Sequence, residues 1–145
     1  MENQSDYLSR ARSGDNICDL TVPLQVNCTG YVNMTHPFTT NGIRRDWYLQ
    51  LMDEGKLTSD GAGMMPGQFI VRAPDRSYRY GLENGSLGYY WIHFTGNCAG
   101  SLLESCGIRP DTVYSISEDR MQSVRRDFGI LFRLKYGHKN DNPDD

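Results

Sequence analysis

The chain has 145 residues, a formal net charge of −3 and a pI near 5.6. That length suffices for one domain with a substantial core, and the acidic balance leaves no electrostatic footprint for nucleic acid. Its opening residues lack the apolar segment of a secretory signal, and no stretch approaches the roughly 20 apolar residues of a membrane span, so a cytoplasmic protein with no membrane partner is expected.

Residues 1–20 are polar and aperiodic and read as an N-terminal arm. Residues 21–116 carry the pattern of a mainly β domain. Pro23 to Met34 gives two short strand-like runs broken at Thr29-Gly30, and His36 to Gly42 reads as a loop. Ile43 to Glu54 alternates, with Trp47, Leu49 and Leu51 on one face and Arg44, Tyr48, Gln50 and Met52 on the other. Gly55 turns the chain into a short return, Lys56 to Ser59, and Gly61-Ala62-Gly63 reads as a turn. Pro66-Gly67 has a type II turn signature, Pro presetting φ and Gly accepting a positive φ. Gln68 to Ala73 follows as a buried strand.

Ser77 to Gly96 is the most informative stretch, SYRYGLENGSLGYYWIHFTG. Asn84-Gly85 at its middle supplies the two residues that a tight hairpin turn needs. Folding the chain about that turn places Tyr80 opposite Tyr89 and Tyr78 opposite Trp91. Alternation then puts the four rings on one face with His93, and Tyr90, Ile92 and Phe94 on the other. Rings with an apolar body and a polar edge suit a pocket for a polar, ring-shaped small molecule. The same pattern fits a half-wet core wall.

After Gly96 the character is helical. Leu102, Leu103 and Cys106 give a short helix near 97–106, with Asn97 as its cap and Gly107 at its end. Asp111 to Ile116 reads as a further strand or an extended link. Ser117 caps a longer helix over 117–136, with Glu118 and Asp119 in its first turn. Met121, Val124, Phe128 and Leu131 form its apolar stripe, at the three-and-four spacing of paired helices. Residues 137–145 read as a disordered tail or the start of a linker. The expected fold is therefore mainly β, a barrel or sandwich followed by C-terminal α-helices.

Motifs for catalysis are missing. His36, His93 and His138 are far apart in sequence, and no H-x-H, H-E-x-x-H or G-x-S-x-G pattern occurs. Cys18, Cys28, Cys98 and Cys106 show no C-x-x-C spacing. No metal, no cofactor and no enzymatic activity are expected. Arg44 and Arg45 are further candidates, either of which could fork hydrogen bonds to vicinal hydroxyls or a carboxylate at a pocket edge. A solvated strand end is the reading the residues alone favour for the pair.

Arg44-x-Asp46-Trp47-x-Leu49 leading to Gly55, then Pro66-Gly67-Gln68-Phe69-Ile70-Val71, Pro74, Tyr80 and Tyr89-Tyr90-Trp91-Ile92-His93-Phe94-Thr95-Gly96 resembles the N-terminal sensor domain of AraC-type transcriptional regulators, bacterial DNA-binding proteins. The likeness runs from about Leu24 to Ile108. It implies a cupin-like β-barrel of the jelly-roll type holding a small effector, often a sugar, followed by helices that form a homodimer. It also implies a separate helix-turn-helix domain that binds DNA. Carried over by position, the family's pocket falls on Tyr80, Tyr89 and Trp91, with Arg44 as the counterpart of its pocket arginine. Metal-binding cupins place histidines where this chain has Tyr78 and Tyr80, so the resemblance implies no metal. No helix-turn-helix pattern follows here, and a sensor domain cut from a longer regulator is the expected origin.

The expected function is thus effector binding and dimerisation in transcription regulation. Arg44, Tyr78, Tyr80, Tyr89, Trp91 and His93 would hold a small polar ligand, a sugar by preference. Met121, Val124, Phe128 and Leu131 would form the dimer interface. The alternative is a metal-free cupin enzyme, a sugar isomerase or epimerase, using tyrosine and histidine as acid and base.

Overall fold

Alternating inward and outward side chains give nine strands, and a computed structural model of the protein, described over residues 16–137, arranges them in two antiparallel sheets. The strands are β1 Gln25–Met34, β2 Phe38–Gly42, β3 Trp47–Glu54, β4 Leu57–Ser59, β5 Ala62–Met64, β6 Gln68–Arg72, β7 Tyr78–Leu82, β8 Leu87–Thr95 and β9 Tyr114–Ser115. Two helices follow β8: α1 Ala99–Ser105, and α2 Glu118–Tyr136 after β9. The larger sheet has the order β1-β8-β3-β6-β9 and the smaller β2-β7-β4-β5. Among the described residues both sheets are open, with no closed barrel. The expected arm up to residue 15 and the expected tail from residue 138, with His138, lie outside the described residues.

Nearly every connection carries the chain from one sheet to the other. Asn84-Gly85, with Gly85 at φ +80°, is such a crossing, and it corrects the expected hairpin. β7 pairs with β2 and β4, whereas β8 pairs with β1 and β3. Tyr80 and Tyr89 are therefore not ladder neighbours; they meet across the space between the sheets. Parity along a strand is fixed by backbone geometry, but the partner of a strand is fixed by tertiary packing, which a turn signal does not reveal.

Other boundaries move for similar reasons. β1 runs through Thr29-Gly30 without a break, its irregularity falling between Val26 and Cys28. Phe38–Gly42 is an edge strand rather than a loop, and Ala62–Met64 pairs with β4 where a turn was expected. Cys98, not Asn97, occupies the cap position of α1, because the Asn97 side-chain amide donates to the Leu20 carbonyl. Ser117 caps α2 as expected, its hydroxyl accepting from the Arg120 N–H. Gly55, at φ +73°, sits so close to the Ser86 carbonyl that a Cβ there would collide with it.

The inner faces of the two sheets pack on each other. Met52, Leu57, Met64, Leu82 and Leu87 make an apolar end of this core, each at most 4 % exposed. The outer face of the larger sheet carries both helices. Trp47, Phe94 and Val71 meet Ala99 and Leu103 of α1, while Leu51 and Tyr90 meet Met121 and Phe128 of α2. Phe132 closes against Tyr31. Polar contacts fix the second helix: Arg125 Nε donates to Asp53 Oδ1 at 2.8 Å, and Tyr31 Oη donates to Asp53 Oδ2 at 2.9 Å.

Candidate functional site

Strand parity aims Cys28, Tyr48, Gln50, Met52, Tyr89, Trp91 and His93 from the larger sheet into the interior. Register stacks them in rungs, with Tyr48 beside His93, Gln50 beside Trp91 and Met52 beside Tyr89. The smaller sheet answers with Tyr78 and Tyr80. Tyr48 lies with ring centroids 5.5 Å from Tyr78 and 6.1 Å from Tyr80, and Tyr80 stands edge-on to Tyr89 at 6.4 Å. The His93 ring stacks on Tyr48 at 4.2 Å with 13° between planes. The aromatic residues expected at a pocket thus converge, joined by Tyr48. Tyr78, Tyr89, Trp91 and His93 are buried; Tyr80 is half-exposed, as are Val32 of β1 and Phe38 and Thr40 of β2. These half-exposed residues lie on the edge strands and their neighbour, which makes this flank the side nearest solvent.

One end of the aromatic cluster is charged. Asp46 has a fully buried carboxylate. Arg44 donates to it twice, Nε to Oδ1 at 3.0 Å and Nη2 to Oδ2 at 2.9 Å, and Asn27 Nδ2 donates to Oδ2 at 2.9 Å. Burial pushes the Asp46 pKa up, but contacts from His93, Arg44 and Asn27 outweigh it and hold the carboxyl at about 2. His93 Nδ1 lies 3.4 Å from Asp46 Oδ1, outside hydrogen-bond geometry. Burial lowers the His93 pKa and the nearby carboxylate only partly opposes it, so the ring is neutral at pH 7. Burial likewise pushes the Tyr48 and Tyr89 hydroxyls far up.

The structure separates the two arginine candidates. Arg44 turns inward, its side chain 14 % exposed, and Arg45 faces solvent. A second inward guanidinium, Arg72, is 5 % exposed and is held by Asp60, Asp111 and Ser59.

Several buried polar atoms among these side chains have no hydrogen-bond partner. They are both amide atoms of Gln50, Trp91 Nε1, His93 Nδ1 and Arg72 Nε. Buried polar atoms are nearly always satisfied in folded proteins, so a cluster of orphans facing one interior is informative. Asp46, Asn27, Tyr48 and Gln50 were not among the expected site residues. Gln50 had a readable signal, a polar residue at the inward parity between Tyr48 and Met52. Asp46, in an Arg-Arg-Asp run, had none.

A groove of about 730 Å³ runs along the smaller sheet, lined by Phe38, Thr39, Thr58, Arg79, Tyr80 and Glu83 among others, so that Tyr80 borders both the groove and the aromatic interior. Its polar groups are largely exposed and none is a buried orphan. The buried polar atoms without partners therefore gather between the sheets, with Tyr80 at the border of the groove. Among the described residues, no group of three or more His, Cys, Asp or Glu side chains could share a metal ion.

The stripe on α2 divides. Met121 and Phe128 are buried in the chain's own core, Phe128 stacking on Tyr90 at 4.7 Å. Val124 and Leu131 are half-buried, and Ile130 and Leu134 are 42 % and 78 % exposed. Among the described residues no helix is long and apolar enough to cross a membrane. No family model matches the chain, and no curated protein matches it.

Proposed function

We propose that the two sheets form a cupin-like jelly roll and that the chain is the effector-binding and dimerisation domain of an AraC-type transcriptional regulator. The observation that carries the ligand-binding part is the set of orphaned polar atoms on Gln50 and Trp91 inside a wall of tyrosines. Such a wall offers ring faces for a sugar's C–H surface and polar edges for its hydroxyls. Repeated crossing between two antiparallel sheets supports the jelly-roll assignment. Occupancy would be relayed to α2, since β3 and β8 carry site residues on one face and the α2 contacts Leu51 and Tyr90 on the other. DNA contact falls to a separate helix-turn-helix domain.

A thermal-shift screen of mono- and disaccharides on the wild type and on Trp91→Ala tests the reading. A saturable shift that Trp91→Ala removes supports it; no shift with any sugar overturns it. Ligand should also alter Trp91 indole emission, with Trp47, on the opposite sheet face, as the internal control.

The second reading, a metal-free sugar isomerase or epimerase, draws on His93 lying beside the Asp46 carboxylate in the manner of an oriented acid–base. Against it, His93 Nδ1 lies outside hydrogen-bond geometry with the Asp46 carboxylate, and burial locks the neighbouring tyrosines in their protonated form. Recovery of the sugar unchanged after incubation separates the two.

A further inference from the structure

Gln50 sits mid-strand on β3, which is flanked by β8 and β6, and is 1 % exposed. Its inward neighbours Met52 and Ile70 show that the surrounding shell accepts apolar side chains. Both its amide oxygen and its amide nitrogen lack a partner, and so does Nε1 of Trp91, its register neighbour on β8. A donor, an acceptor and a second donor therefore stand together on the face that looks between the sheets, none with a partner in hydrogen-bond geometry. The Gln50 amide is near enough to the Tyr89 hydroxyl to pull its pKa down against the effect of burial. The charges nearby are already matched. Arg44 is committed to Asp46 by two hydrogen bonds, and Arg72 to Asp60 and Asp111.

From this we infer that Gln50 is the specificity-determining residue of the interior site and that its ligand is neutral, presenting a hydrogen-bond donor and acceptor side by side as two neighbouring hydroxyls do. This inference rests on the ligand-binding reading above. One hydroxyl donates to Gln50 Oε1, the oxygen of the next accepts from Nε2, and Trp91 Nε1–H donates to a further ligand oxygen. Sugar phosphates and sugar acids are disfavoured, because both inward guanidiniums are neutralised and the added anion would approach the ionised Asp46. Apolar ligands would leave all three groups unsatisfied, and a site built to hydrogen-bond rejects a partner that cannot reciprocate.

The experiment uses the whole chain and titration calorimetry with neutral aldopentoses, aldohexoses and their polyols. Each is set against its phosphorylated or uronic acid counterpart and its monodeoxy derivatives. Wild type should bind a neutral member, lose affinity for at least one deoxy derivative, and bind the anionic counterparts more weakly. Gln50→Leu should weaken the neutral ligand by about tenfold or more and lose the discrimination against that deoxy derivative. A merely structural glutamine would not move that discrimination. Gln50→Met, unbranched and of similar length, carries the test if the leucine variant does not fold. Wild-type binding that Gln50→Leu or Gln50→Met leaves within twofold overturns the role of Gln50 while the ligand-binding reading stands. Preference for the anionic counterparts overturns the ligand class alone. Wild type that binds none of the panel overturns the inference and the ligand-binding reading together.

Discussion

Arg44 grips Asp46 through two near-parallel hydrogen bonds, Nε–Oδ1 at 3.0 Å and Nη2–Oδ2 at 2.9 Å, with the carboxylate wholly buried. The two residues are only two positions apart, so the link between β2 and β3 is clamped at the rim of the aromatic interior. Bidentate pairing of this kind fixes direction as well as charge.

The clamp makes stability depend on pH with a definite sign. Asp46 has a folded pKa of about 2 against an ordinary 3.8, so its contribution is fully present above about pH 4. It is lost as pH falls from about 4 towards 2, and it amounts to about 2 kcal/mol. His93 acts in the same direction at higher pH. Its folded pKa lies below 6.5, so protonation favours the unfolded chain once pH falls beneath that value. Urea midpoints measured from pH 7 to pH 2 should fall in two limbs. Asp46→Asn should flatten the lower limb and cost about 3 kcal/mol at pH 7, since it takes the carboxylate from a largely buried guanidinium. An unchanged lower limb would show that Asp46 is not the group responsible.

Gly88 and Tyr31 should be energetically coupled. Tyr31 reaches Asp53 by passing over Gly88, so closely that a Cβ on Gly88 would collide with the tyrosine hydroxyl. Gly88→Ala should therefore destabilise by about 1–3 kcal/mol. Tyr31→Phe removes the colliding oxygen, at about 1 kcal/mol for the lost hydrogen bond. The double variant should be less destabilised than the sum of the two singles, because the closest clashing atom goes with the hydroxyl and the ring carbon Cζ, at 2.8 Å, is the tightest approach left to relieve. Additive losses in denaturant melts would contradict the contact.

Much of the interior was legible because alternation is a backbone property. Parity placed Tyr48, Gln50 and Met52 together, and Tyr89, Trp91 and His93 together, and the structure keeps both groupings. Pairing was not legible. Tyr78 and Tyr80 meet the β8 side of the core across two sheets, and a symmetric turn reads the same whether the chain returns beside itself or crosses over. Asp46 was hidden for another reason: burial of a charge depends on Arg44, Asn27 and His93, which come from three separate places in the chain. β5, Ala62–Met64, has composition typical of turns and is a strand only because β4 offers it an edge.

Tyr136 should protect the open edge of β1. Its hydroxyl accepts from the Thr29 N–H at 3.0 Å and donates to the Thr29 carbonyl at 3.1 Å. Thr29 pairs with Ile92 in a strand that, among the described residues, has no ladder neighbour on its other side, so the tyrosine satisfies groups that an edge leaves open. Tyr136→Phe should cost about 1–2 kcal/mol and speed hydrogen exchange at the Thr29 amide. Unchanged protection at Thr29 would argue that water replaces the hydroxyl without loss.

The dimer proposed for this chain has to use the apolar shoulder of α2 rather than its centre. Met121 and Phe128 face Leu51 and Tyr90 within the same molecule, and drawing them into a partner would unseat the helix. At about 100° per residue, Val124 and Leu131 lie at the edge of that buried stripe, and Leu134 and Ile130 continue round the same side. Leu134 is 78 % exposed and Ile130 is 42 % exposed, so the apolar surface extends past what the sheet covers. Two copies pairing about a two-fold axis would bury that shoulder against itself. Sedimentation at micromolar concentration should show a dimer for the wild type and a folded monomer for Leu131→Asp with Leu134→Asp. Phe128→Asp serves as the contrast, since it should lower the melting temperature steeply by placing a charge against Tyr90. A wild type that sediments as a folded monomer would remove the dimer, and a folded dimer in the double variant would move its interface off α2.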